Sequence, residues 1–255
     1  METVMETNLQ RPDETLEDLQ LGGLKLLQKK NGFRFGMDSV LLADFATVRS
    51  TDRVADFGTG TGILPLLLVG RNKGDHFDAV EIQEEYCGMA ERTMRMNGLE
   101  DRVRIIHADA GEADRFLPPG GTDCVICNPP YGLPGKSLSS PFPDRAAARN
   151  LDSGALGRMF TAAFRILRGK GKLSLVFPAP QMLEVMKLLT DCHLEPKRFR
   201  LVYPHADKPA NLVLIEAVKD ARPTLQPLPP LIVYNPDQTL TNELKSIYHI
   251  KQNTV

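Results

Sequence analysis

The chain has no excess of charge. Its 31 lysines and arginines against 32 aspartates and glutamates leave a formal net charge of −1. No global positive field advertises a nucleic-acid partner, so any such partner has to be held by a local patch. Cysteine is scarce, with four in 255 residues, and no stretch resembles a secretory leader or an unbroken apolar membrane span. A reduced, cytoplasmic protein without a membrane partner is expected. Internal repeats and low-complexity tracts are missing as well. At this length the chain can bury a full core without disulfides or metal, and one main domain with small attachments is expected. Cys124 and Cys127 form a C-x-x-C. No second ligand pair follows, and positions three apart in a strand face opposite sides, so core packing is favoured over zinc or redox chemistry.

What the chain does have is Arg-Val-Ala-Asp-Phe-Gly-Thr-Gly-Thr-Gly-Ile-Leu-Pro-Leu-Leu-Leu at 53–68. A short apolar strand breaks at Gly58, Gly60 and Gly62 and resumes as an apolar helix. That order brings unpaired backbone N–H groups and the positive end of a helix dipole to the carboxyl edge of a sheet. Dinucleotide enzymes use G-x-G-x-x-G, whose third position here is Ile63, one past Gly62. G-x-G-x-G preceded by Asp56 points instead to S-adenosylmethionine. A tight connection without ligand is the plain alternative.

Residues 1–20 are polar, acidic and aperiodic, and read as a flexible N-terminus. Within 21–50 a β-hairpin turning at Asn31-Gly32 is expected, followed by a short helix over 40–45 capped by Asp38-Ser39. This hairpin and helix either cover the ligand site as a flap or pack as an ordinary edge. The main domain spans 51–220. A second strand over 77–81 ends in Glu81, a carboxylate placed to accept both ribose hydroxyl hydrogens. A helix with Tyr86, Met89, Ala90, Thr93 and Met94 on one face stops at Asn97-Gly98, and its methionines read as core. A third strand over 103–107 precedes Asp109, which either accepts from the cofactor's exocyclic adenine amine or is a solvated turn residue.

A fourth strand over 124–127 runs into Asn128-Pro129-Pro130-Tyr131-Gly132. Two prolines directly after a strand forbid both ladder donation and helix, which holds the backbone extended and rigid. An exocyclic amine conjugated to a base or carbonyl is a poor nucleophile because its lone pair is delocalised. If the Asn128 side-chain oxygen and the Pro129 carbonyl each accept one of its hydrogens, the lone pair is turned towards a sulfonium methyl. Tyr131 supplies a stacking face. The polar loop over 133–150, with the cations Lys136, Arg145 and Arg149, reads as a lid or substrate grip. A helix with Leu156, Met159, Phe160, Ala163, Phe164 and Leu167 ends at Gly169. A fifth strand over 172–177, a helix over 182–192 and a strand pair over 196–203 and 211–218 follow. Lys197, Arg198, Arg200 and Lys208, with Lys170 and Lys172, form the best local basic patch, solvated surface charge being the bland explanation. Residues 221–255 read as a proline-rich tail packed on the domain, with a short strand at 231–234 and a helix at 240–248.

With Asp56-Phe-Gly-Thr-Gly-Thr-Gly62, Glu81, Asp109 and Asn128-Pro-Pro-Tyr131 in this order, the chain resembles class I S-adenosylmethionine-dependent amino-methyltransferases. Gly32-Phe-Arg-Phe-Gly-Met-Asp-Ser-Val-Leu-Leu42, Glu-Ile-Gln-Glu-Glu at 81–85, Leu194-Glu-Pro-Lys-Arg198 and Asn211-Leu-Val-Leu-Ile-Glu216 look like the bacterial tRNA adenine-N6 methyltransferase family, which acts on the adenine beside the anticodon of a valine tRNA. The resemblance implies an α/β, Rossmann-like sheet of seven mostly parallel strands in the order 3-2-1-4-5-7-6, with helices on both faces beside the small N-terminal hairpin. It implies an S-adenosylmethionine site of Asp38, Asp56, Gly58, Thr59, Gly60 and Gly62 with Glu81, Ile82, Asp109, Ala110 and Asn128. Asn128, Pro129 and Tyr131 would be catalytic. Pro130, Tyr131, Arg145, Arg149, Lys197, Arg198 and Arg200 would meet a structured RNA. No metal is implied, and a monomer or weak dimer is expected. Where relatives often carry Arg-His-Glu, this chain has Arg149-Asn150-Leu151. A protein-glutamine methyltransferase, a ribosomal RNA amino-methyltransferase and a non-catalytic cofactor- or RNA-binding module remain as alternatives.

Overall fold

A computed structural model of the chain describes residues 9–32, 34–129 and 153–249. Glu14–Asp18 (β1) and Lys25–Lys29 (β2) pair antiparallel, with Leu16 opposite Leu27. Their turn lies at 19–24, where Gln20, Gly22 and Gly23 take positive φ. This corrects the turn expected at Asn31-Gly32. β2 finds its partner upstream, in the acidic stretch that carries no sequence signal, because consecutive glycines at 22–23 reach positive φ without a Cβ penalty. Met37–Phe45 (α1) starts three residues earlier than expected. Its N-cap is Gly36 without a side-chain hydrogen bond, so Asp38 and Ser39 belong to the first turn and do not form the cap.

The main sheet then builds in helix-linked steps: Arg53–Phe57 (β3), Ile63–Gly70 (α2), His76–Glu81 (β4), Glu84–Met96 (α3), Val103–His107 (β5), a 3₁₀ turn at Ala110–Arg115, and Thr122–Cys127 (β6). Ser153–Ile166 (α4) passes directly into Leu167–Pro178 (β7). Between the register pairs Thr122↔Leu167 and Cys124↔Lys172 the strand bulges, with Lys170 at positive φ, which is why Arg168-Gly-Lys-Gly171 reads as a helix stop in the sequence. Met182–Asp191 (α5), Leu194–Tyr203 (β8) and Leu212–Lys219 (β9) complete the domain. The tail adds Gln226–Pro227 (β10), Leu231–Ile232 (β11) and Asn242–Ile247 (α6).

The strand order is β10-β8-β9-β7-β6-β3-β4-β5, with β11 also paired to β8. From β3 to β9 this is the expected 3-2-1-4-5-7-6, with β9 antiparallel to both neighbours. β10 and β11 lengthen the sheet past the expected seven strands by pairing parallel to the β8 edge, which the tail thereby covers. Apolar residues on the two faces form two cores. Val54, Leu66, Leu41 and Leu244 belong to one, and Phe57, Phe160, Ala163 and Leu189 to the other. Cys124 enters the first core and Cys127 the second, as their strand spacing dictates. Among the described residues no helix is long and apolar enough to cross a membrane.

Candidate functional site

After β3 the chain turns into α2 through Gly58, Gly60 and Gly62, with φ of 76°, 57° and 87°. A Cβ on Gly58 or Gly60 would meet open space, so it is the left-handed backbone that calls for glycine there. A Cβ on Gly62 would come 2.4 Å from Met94 Cε, which shows how closely the helix start packs on α3. The loop amides are less free than the sequence suggests. Gly58 and Thr59 N–H donate to the Val80 carbonyl at 2.9 and 3.0 Å, and Gly62 N–H donates to Thr59 O at 3.0 Å. Gly60 N–H donates to Glu81 Oε2 at 2.9 Å. A pyrophosphate cradle needs such amides unengaged, so the loop suits a ligand without phosphate.

Glu81 ends β4, buried, and its other oxygen accepts from Gln83 N–H at 2.9 Å. Each carboxylate oxygen keeps a further lone pair, so tying the loop and meeting a ribose are compatible. Ile82 follows, 61 % exposed, an apolar side chain next in sequence to the acid. Its carbonyl lies 3.0 Å from His107 Nε2, a strand-end contact that accounts for the histidine. Asp109 caps the 3₁₀ turn by accepting from Gly111 N–H at 2.8 Å, and Ala110 opens that turn, buried. Phe57↔Val80 and Glu81↔His107 are register pairs, so these groups lie at adjoining strand ends.

Beneath the loop sits Asp56, 0 % exposed. Neither carboxylate oxygen has a hydrogen-bond partner, and the Thr59 hydroxyl is equally buried and unpartnered. Burial pushes the Asp56 carboxyl up to about 7; the nearby Thr59 hydroxyl draws it down without reaching bonding geometry, and the Glu81 charge adds to the rise. Burial and the Asp56 charge also push the Cys127 thiol well up, which leaves it inert. Orphaned acceptors under an open loop fit a cationic ligand rich in donors, and S-adenosylmethionine carries both a sulfonium and an ammonium.

Asn128 leaves β6 half-buried, and Pro129 after it is buried. The Asn128 carboxamide donates from Nδ2 to Ser39 Oγ at 3.1 Å. Ser39 is the residue that sequence reasoning missed, taken there for a helix cap, and no local signal links it to Asn128. Beside it, burial raises the half-buried Asp38 carboxyl. Pro130, Tyr131, Arg145 and Arg149 lie outside the described residues.

The cations of β8 sit two strands beyond β7, away from this cluster. Arg198 Nε donates to Glu216 Oε1 at 2.9 Å, and its guanidinium stacks 4.3 Å above the Phe45 ring. The Glu216 carboxyl, which burial alone would raise, is held below its ordinary value by Arg198 and Thr47. Arg200 pairs with Glu243 at 2.5 Å, and Lys197 donates to the Arg222 carbonyl at 2.9 Å. The face expected to display free cations is therefore engaged by Glu216 and the tail.

The methyltransferase small domain model matches residues 34–195. The tRNA1(Val) (adenine(37)-N6)-methyltransferase of Tolumonas auensis is 32% identical over 74% of this chain and 77% of its own length. The protein of that name from Parabacteroides distasonis is 28% identical over 78% and 81%. Among solved structures, a predicted O-methyltransferase from Agrobacterium tumefaciens superposes with a TM-score of 0.66 at 22% identity, covering 84% of this chain and 96% of that one. TrmK from M. capricolum, in complex with S-adenosyl-homocysteine, gives 0.55 at 14% identity over 75% and 72%. At these identities the structural likenesses speak for the fold alone.

Proposed function

The chain belongs to the methyltransferase small domain family, and from that premise we propose that it methylates an exocyclic adenine N6 in tRNA, on the adenine beside the anticodon of a valine tRNA. Asn128 and Pro129, at the end of β6 and next to the glycine loop of β3, are the observation that carries this most directly. The acceptor comes from the curated relatives that bear that activity in their names.

S-adenosylmethionine, when bound, supplies a methyl on a sulfonium. The residues proposed to hold it are Asp38, Asp56, Gly58, Thr59, Gly60 and Gly62, with Glu81 on the ribose. Ile82 and Ala110 would flank the adenine, and Asp109 would accept from its amine. Asn128 Oδ1 and the Pro129 carbonyl accept the two hydrogens of the acceptor amine and so orient its lone pair. Pro130 and Tyr131 are the residues proposed to meet the base. Once alkylated, the amine sheds its proton to water, so no general base is needed. A base in folded RNA has to unstack to reach this edge, at a cost of about a few kcal/mol that is least in a loop. Arg145, Arg149 and Lys197 are the cations assigned to the RNA backbone, and Arg198 and Arg200 serve it only beyond the intramolecular partners they already hold. A tRNA substrate implies the cytoplasm.

Incubation with methyl-labelled S-adenosylmethionine and, separately, total tRNA, ribosomal RNA and release factor tests the acceptor. N6-methyladenine confined to the tRNA digest is expected. Label only in ribosomal RNA or only in protein would overturn the tRNA assignment, and label in none would favour a non-catalytic module.

A further inference from the structure

The Asn128 carboxamide is not held by β6 alone. Its Nδ2 lies 3.1 Å from the hydroxyl of Ser39, which is 2 % exposed in the first turn of α1. α1 is no loose flap: it packs on α2 and across β7 and β9, and α6 of the tail packs on it in turn. The hydroxyl is therefore presented from a rigid layer of the fold. A carboxamide is nearly the same shape end for end, so packing alone does not decide whether its oxygen or its nitrogen meets an incoming group. The difference is chemical. An acceptor amine presents hydrogens, and two N–H groups facing each other would leave both unpaired in a partly buried site. When Nδ2–H is donated to Ser39, the planar amide turns Oδ1 to the opposite side.

We propose that Ser39 is a positioning residue for the transfer: its hydroxyl bonds the Asn128 Nδ2 and fixes the plane of the carboxamide, so that Oδ1 lies on the side open to an acceptor amine. This rests on the amino-methyl reading above and makes the N-terminal helix part of the active site. Ser39 touches neither reacting atom. It acts on the step through Asn128, so its removal lowers turnover and leaves cofactor affinity in place.

The test uses the full chain with Ser39→Ala and reads three quantities: kcat with total tRNA, affinity for S-adenosylhomocysteine by calorimetry, and the side-chain ¹H–¹⁵N pair of Asn128, identified by its loss in Asn128→Asp. Loss of one neutral hydrogen bond on the reacting side should lower kcat by about tenfold. Affinity for S-adenosylhomocysteine should stay within about twofold, since that difference is well below one such bond. The Asn128 pair should move to the position of a freely solvated carboxamide. An unmoved pair, an unchanged kcat, or a kcat that falls together with cofactor affinity would overturn the proposal. The carboxamide signal needs no acceptor, so a failure of the tRNA assignment leaves that measurement decisive.

Discussion

Asp56→Asn isolates one charge that burial opposes. The carboxyl is fully buried, neither oxygen is partnered, and burial pushes it up to about 7 from the ordinary 3.8 it regains on unfolding. The folded protein thus binds this proton more tightly than the unfolded chain does. A group of that kind favours folding most below the unfolded value, and the contribution is lost as pH rises through the folded value. Between about pH 5 and about pH 8 the unfolded chain is already ionised while the native carboxyl releases its proton only near 7. The loss runs at about 1.4 kcal/mol per pH unit over roughly two units, or about 2–3 kcal/mol in all. Asparagine is neutral throughout and carries no such slope. In urea unfolding of the ligand-free proteins, the stability of Asp56→Asn relative to wild type should therefore grow by about 2–3 kcal/mol from pH 5 to pH 8. Parallel stabilities at the two pH values would mean that the carboxylate is hydrated in the cleft, and the reasoning would fail. The same charge, unfavourable in the empty fold, should help bind a cationic ligand, so cofactor binding near pH 6 should release a proton, seen as a buffer-dependent binding enthalpy.

Asn128→Ala should abolish methyl transfer while calorimetry shows cofactor affinity largely intact, because its contact is with the acceptor; an equal loss of affinity would misplace that role. Glu81→Gln should weaken cofactor binding by about 1.5–3 kcal/mol, the range for a hydrogen bond to a charged group. It should also speed amide exchange at Gly60, whose N–H it accepts, and unchanged affinity would put the ribose contact elsewhere. Arg198→Ala strips Glu216 of its cation at a site where the acid is 4 % exposed. Since the arginine keeps some solvent contact, a stability loss near the low end for a broken buried pair, about 3 kcal/mol, is expected in chemical unfolding. A variant of unchanged stability that loses RNA affinity would return Arg198 to the substrate surface.

The strands β3 to β9 were legible along the chain because each strand's period is local and the glycine and Asn-Pro-Pro-Tyr motifs mark strand ends, while their order in the sheet followed from the family resemblance. What was not legible shares another property. β1 reads as Glu-Thr-Leu-Glu-Asp, with one apolar residue, and becomes a strand only because β2 offers it an edge and Arg92 neutralises Glu14, hydrogen-bonding it at 2.6 and 2.7 Å from α3. No propensity argument finds that. The basic alternation in β8 was equally visible, but its fate was not. Whether Arg198 faces RNA or Glu216 depends on β9 lying beside β8, a pairing that places Glu216 directly across from it.

The same distinction divides the site. Gly58, Gly60 and Gly62 do their work within one turn of chain, so residue types at fixed offsets suffice to find them. Glu81 was found as an acid at a strand tip, yet its bond to Gly60 spans 21 residues and shows that one carboxylate both shapes the loop and stands ready for a ligand. Ser39 and Asn128 are 89 residues apart and meet only because α1 returns to the end of β6. Motifs therefore reveal the groups that touch ligand, since ligand chemistry restricts residue type at each position. The groups that orient them are restricted only by geometry, which serine, threonine or another small polar residue could satisfy from any neighbouring element, and so they surface only once the strands are in register.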